Sequence, residues 1–191
     1  MKAPYLTIAV LLGLSTLTSG CSGSGGEIVN PPTGISLISN GSFEFNRLPS
    51  LQGWTANVAD TSYVNFSPST PPDGGSYSVR LRNEWSFPGS IEYSVVSAPG
   101  THRYRLHAWA RAVLTGALRA GGEMSILLDS SGNTTIRKSW HFADTTWTDA
   151  GLLDTLTTGT KDTVLIRLRG NIDQFSNGYV LFDLCTFEQL D

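Results

Sequence analysis

The chain has 191 residues, a formal net charge of −3, 40% hydrophobic and only 15% charged residues, and 20 glycines. That length supports one domain whose core needs no covalent staples. So lightly charged and acidic a chain excludes a nucleic-acid partner, which calls for a strongly basic surface. It suits an exported, β-rich protein.

In chain order, Lys2 is a short positive start and Tyr5–Leu17 an apolar run too short to span a bilayer comfortably. The run ends in Leu17-Thr18-Ser19-Gly20-Cys21, which resembles a bacterial lipobox. That resemblance implies that residues 1–20 are a lipoprotein signal peptide and that Cys21 is acylated through its sulfur and its new amino terminus. Such an anchor is effectively permanent. Ser22 after the cysteine resembles outer-membrane sorting, so the expected location is the bacterial outer membrane or cell surface. An ordinary secretory signal with an unmodified Cys21 is the alternative. Residues 21–34 are a tether, flexible in its Gly/Ser part and stiffer at Pro31-Pro32. With Cys21 lipidated, Cys185 is the only other cysteine and no intramolecular disulfide can form. It lies in a strand-like run and reads as a small buried hydrophobe.

From residue 35 to 191 nothing separates a second domain, and no segment shows a period of 3.6. Short alternating runs bounded by Gly, Pro, Asn and Asp predict about ten strands of a two-sheet antiparallel β-sandwich. They are Ser42–Phe45, Gly53–Val58, Ser76–Arg82, Ile91–Ser97, Arg103–Val113, Glu123–Asp129, Ile136–Phe142, Thr148–Asp154, Thr163–Arg169 and Tyr179–Phe187. The run from residue 103 to 113 alternates most strictly. Tyr104, Leu106, Ala108 and Ala110 make one face, and Arg103, Arg105, His107, Trp109 and Arg111 the other.

Several short motifs recur in a familiar order: Asn40-Gly41-Ser42-Phe43-Glu44, Gly53-Trp54-Thr55, Gly75 to Leu81, Pro99-Gly100 before Tyr104-Arg105-Leu106, Trp147-Thr148 and Val180-Leu181-Phe182-Asp183. Together they resemble carbohydrate-binding modules of families 4, 9 and 22, within the galactose-binding-like jelly rolls. The resemblance covers residues 38–190. It implies a jelly roll with a sugar cleft on one sheet and a structural Ca²⁺. Carried over residue by residue, the metal ligands would be the Ser42 carbonyl, the Glu44 and Asp183 carboxylates, the Asp73 side chain and a carbonyl near Tyr77. Calcium takes six to eight hard oxygens in irregular geometry, so the set is chemically apt. Turn caps and backbone acceptors are the alternative role for the two carboxylates.

The jelly-roll strand order leads us to expect the runs 76–82, 163–169, 103–113 and 123–129 side by side in one sheet. Arg80, Arg82, Arg167, Arg169, Arg105, His107, Trp109 and Arg111 would then share one surface. Crowded guanidinium groups need a reason. One is a glycan, neutral or anionic, whose hydroxyl, carboxylate or sulfate groups are gripped by Arg forks with Trp109 stacked on a ring. The other is ion pairing with Glu84, Glu92, Glu123 or Asp129. Trp54 and Trp147 read as core. Trp85 is a loop platform for ligand, Tyr93 stands where relatives carry a cleft-lining residue or belongs to the core, and the face of Trp140 is open. No HExxH, Gly-x-Ser-x-Gly or phosphate-cradling loop is present. The reading is a non-catalytic glycan-binding lipoprotein. The alternatives are an adhesive envelope lipoprotein that docks another protein at the same face, and a jelly-roll polysaccharide lyase.

Overall fold

The computed structural model describes residues 34–58, 60–83, 88–115, 120–170 and 178–191. The expected signal peptide, tether and lipidated Cys21 lie outside the described residues, as do Glu84 and Trp85. Twelve strands are described: β1 (Glu44–Phe45), β2 (Leu48–Pro49), β3 (Trp54–Ala56), β4 (Val64–Ser67), β5 (Ser78–Asn83), β6 (Ser90–Val95), β7 (Gly100–Leu114), β8 (Gly122–Ser130), β9 (Asn133–Phe142), β10 (Thr148–Thr158), β11 (Asp162–Gly170) and β12 (Gly178–Gln189). Every run read from the sequence overlaps one of them. Unforeseen were β4 and the two-residue β2, each too short for alternation to show.

Two five-stranded antiparallel sheets face each other, ordered β10-β7-β12-β5-β4 and β3-β6-β11-β8-β9, and β1 and β2 form a separate hairpin. Asn46 and Arg47 at its tip both have positive φ (53° and 64°), as a two-residue type I′ loop demands. Ser131 and Gly132 do the same between β8 and β9, where the sequence places a turn.

The alternation read in β7 is realised. Tyr104, Leu106, Ala108 and Ala110 are fully buried, while Arg105, His107, Trp109 and Arg111 are half-buried on the other side. Small alanines suit a strand whose neighbour β12 turns Phe182 inward beside Ala110. Tyr104 stacks on Phe187 at 5.1 Å, and Phe142 meets Phe182 edge-on at 5.4 Å. Val164, Ile166 and Leu168 of β11, with Met124 and Ile126 of β8, supply the opposing layer. Trp54 is buried, lies 5.3 Å from Phe43, and donates its Nε1–H to the Asn40 carbonyl at 2.9 Å. Cys185 is a free, buried thiol, and burial pushes it far above its ordinary titration range.

Candidate functional site

The expected single cationic surface does not form. Strand β12 inserts between β5 and β7 and pairs with both, so β5 and β7 belong to one sheet. Strand β11 pairs instead with β6 and β8 in the other sheet. Arg80, Arg82, Arg105, His107, Trp109 and Arg111 therefore lie on the outer face of one sheet, and Arg167 and Arg169 on the outer face of the opposite one. The parity within each run holds; the neighbour relation between runs does not.

On the first face all of these cations but Arg105 are tied to their own surroundings. The Arg80 guanidinium sits over the Tyr179 ring at 5.2 Å and that of Arg82 over Tyr63 at 5.3 Å. Arg111 donates Nε–H to the Thr145 carbonyl at 2.9 Å and reaches Ser69 Oγ at 3.3 Å. His107 Nε2 contacts the carboxylate of Asp149. Trp109 is half-buried and flanked in register by Asp149 and Asp183. Leu181, on the same face, is 1% exposed yet outside the core cluster, so this face is partly covered.

The second face is built differently. The outward residues of β11 (Leu165, Arg167, Arg169) pair in register with Leu127, Ser125 and Glu123 of β8. On the other side of β11, Arg167 pairs with Glu92 and Arg169 with Ser90. Arg167 Nε donates to Glu92 Oε1 at 2.6 Å, one of the carboxylate partners the sequence offered. Glu123 accepts the Ser125 hydroxyl and has His141 Nδ1 at 3.7 Å from its other oxygen. Ser139 Oγ is 3.4 Å from His141 Nε2. Although these groups point away from the core, Ser125 is 0% and Glu123 7% exposed, and Leu127 at 1% is buried outside the core cluster. The middle of this sheet thus buries polar side chains on its outer side, a strip we term the trough. Ser125 and His141 carry a sequence signal, since both stand at outward parity in strand-like runs, but nothing local to either run marks them as neighbours of Glu123.

The remaining sequence candidates separate cleanly. Tyr93 turns inward, packs edge-on against Trp54 at 5.2 Å and hydrogen-bonds Ser39 Oγ at 3.1 Å; it takes its core alternative. Trp140 stacks on Phe142 at 5.0 Å and packs against the core. Asp129 accepts the Gly132 N–H at 2.8 Å, a turn role.

The two carboxylates named as calcium ligands do lie close together. Asp183 is fully buried, and its Oδ2 has no hydrogen-bond partner, while Oδ1 accepts the Leu184 N–H at 2.8 Å. Burial, with the nearby Glu44 charge as a smaller contribution, raises its carboxyl to about 7. Glu44 Oε1 accepts the N–H groups of Ser76 and of Tyr77, the latter at 2.6 Å. Gly74 and Gly75 close over the pair: a Cβ at Gly74 would sit 2.5 Å from Asp183 Oδ2, and one at Gly75 would strike the Glu44 carboxylate. Phe43, Asp73 and Leu184, all beside this spot, hold positive φ (56°, 63° and 48°), a strain that non-glycine residues rarely carry. Asp73 itself is exposed, and among the described residues no three acids, histidines or cysteines converge. A cation here would take two carboxylates and complete its shell with main-chain oxygens such as those of Ser42 and Tyr77. That is oxygen chemistry calcium accepts, and an orphaned buried carboxylate oxygen fits such an ion.

No family model and no curated protein matches the chain. Solved structures do. The enzymatically active domain of bacteriophage CBA120 tailspike protein 4 matches with TM-score 0.59 and 18% identity over 82% of this chain and 22% of that one. The CBM22-1 xylan-binding domain from Paenibacillus barcinonensis Xyn10C matches with TM-score 0.55 and 17% identity over 85% of this chain and 99% of that one. TmCBM61, solved with β-1,4-galactotriose, matches with TM-score 0.53 and 16% identity over 82% and 99%. The chain thus spans about a fifth of the tailspike domain but nearly the whole of each module. At such identities the likeness establishes the jelly-roll sandwich.

Proposed function

We propose that the chain is a non-catalytic glycan-binding module whose ligand lies in the trough on the outer face of the sheet β3-β6-β11-β8-β9. The observation that carries this reading is the sinking of polar groups below that surface: Ser125 and Glu123 are buried outside the core beside the Arg167–Glu92 pair. Burying polar groups costs free energy unless they find partners. Guanidinium donors alternating with carboxylate acceptors match sugar hydroxyls, which both accept and donate. Because Arg167 has its carboxylate, the trough favours a neutral, hydroxyl-rich chain over an anionic one. The sandwich it shares with a xylan-binding domain and a galactotriose-bound module supports the same reading. Calcium held by Glu44, Asp183 and main-chain oxygens of the 73–77 loop would act structurally, joining the first strand to the last. An acylated Cys21 would place the module at the outer membrane or cell surface.

The test is titration of neutral xylo-, gluco- and galacto-oligosaccharides followed by calorimetry, with Arg167→Ala and Trp109→Ala compared. Loss of a hydrogen bond from a charged donor costs about 1.5–3 kcal/mol, roughly ten- to a hundredfold in affinity. That loss is expected for Arg167→Ala, with Trp109→Ala within about twofold of the parent. Binding abolished by Trp109→Ala and untouched by Arg167→Ala would return the ligand to the first face.

A further inference from the structure

The edge strands β9 and β10 belong to different sheets and meet at one seam of the sandwich. A cavity of about 300 Å³ opens there, lined by Arg103, Lys138, Leu153, Asp154 and Thr155. None of these residues belongs to the trough or to the carboxylate pair. Lys138 Nζ spends one of its three donors on the Leu153 carbonyl at 2.8 Å, which holds the ammonium at the seam. The exposed Arg103 forms no ion pair among the described residues; its main-chain N–H, not its guanidinium, meets the Asp191 carboxylate. Asp154 is turned to the inner face of β10, gives Oδ1 to the Thr155 N–H at 2.9 Å, and encloses Oδ2. The groove therefore presents two cations beside one carboxylate, of which Oδ1 is hydrogen-bonded and Oδ2 is buried without a partner, a net charge of one positive.

We infer that this seam groove is an oxyanion site for a singly charged acidic sugar, a uronate or sulfate ester. One net positive charge is neutralised by a monoanion, whereas a dianion would also face Asp154. The guanidinium fork and the free ammonium donors suit a carboxylate or sulfate group. The Thr155 hydroxyl reaches a ring hydroxyl, and the Leu153 side chain, 48% exposed, offers an apolar wall to a sugar's C–H face. The site stands apart from the trough: either can bind without the other.

The probes are methyl β-D-glucuronide and methyl β-D-glucoside, titrated into the intact ¹⁵N-labelled chain. The glucuronide is expected to shift the amides of Leu153 and Thr155, the glucoside to leave them in place, and added salt to weaken the response. Arg103→Ala and Lys138→Ala, both at exposed positions that the fold tolerates, should each raise the glucuronide Kd about tenfold. Neither should alter binding of a neutral oligosaccharide in the trough. Equal shifts with both glycosides, or glucuronide shifts that persist in the double variant, would overturn the assignment.

Discussion

Asp183→Asn separates a proton from a calcium ion at the buried carboxylate pair. Asn keeps the oxygen that accepts the Leu184 N–H and removes the charge that Glu44 opposes. Because the folded carboxyl titrates near 7 rather than 3.8, the folded state holds an extra proton between the two values. The stability that proton confers is complete below the unfolded value and is lost as pH rises through the folded one. The shift bounds the loss at about 4 kcal/mol, and Asn recovers only part of it because its amide N–H groups must also be satisfied in the same buried place. In chelator at about pH 8, Asp183→Asn should therefore be the more stable protein by about 1–2 kcal/mol. On the proposed calcium role, the ion would take the proton's place in the parent and stabilise it by about 2.7 kcal/mol at a hundred times its Kd. In millimolar calcium the order should reverse, a swing of several degrees in melting temperature. Thermal melts followed by Trp fluorescence, with and without chelator, read both signs. Identical parent melts in the two conditions, or a full calcium shift retained by Asp183→Asn, would refute the reasoning.

Two further outcomes follow from the packing. Trp54→Ala removes a buried indole lying between Phe43 and Tyr93 and should cost about 3–5 kcal/mol in urea unfolding; a loss under about 1 kcal/mol would mean that the site collapses or that the ring is not core. Cys185 is buried with its thiol held protonated, so a thiol reagent should label it only at the rate of unfolding. Rapid labelling of Cys185 in the folded protein would contradict its place in the core.

Much of this fold is legible in the sequence because a strand's side-chain period is local. The alternation of residues 103–113 fixes which face of β7 enters the core, and Val164-Ile166-Leu168 does the same for β11. What the period leaves open is which strand lies beside which. Parity gave Arg80, Arg105 and Arg167 the same outward sense, yet the long pairing of β12 with both β5 and β7 sends Arg167 to the opposite sheet. That adjacency depends on non-local hydrogen bonding, which no single run encodes. The trough is not legible in the sequence for a related reason. Glu92 and Glu123 look like ordinary surface acids until register sets them on either side of β11. The Glu44–Asp183 proximity was legible only through the resemblance to known modules, since the two residues are far apart in the chain and share no periodic signal.

The most direct measurement is amide chemical-shift mapping of the ¹⁵N-labelled protein with a neutral oligosaccharide that it binds. The account predicts shifts concentrated at Glu92, Glu123, Ser125, Arg167 and Arg169. Shifts concentrated instead at Arg105, His107, Trp109, Arg111 and Asp149 would contradict it.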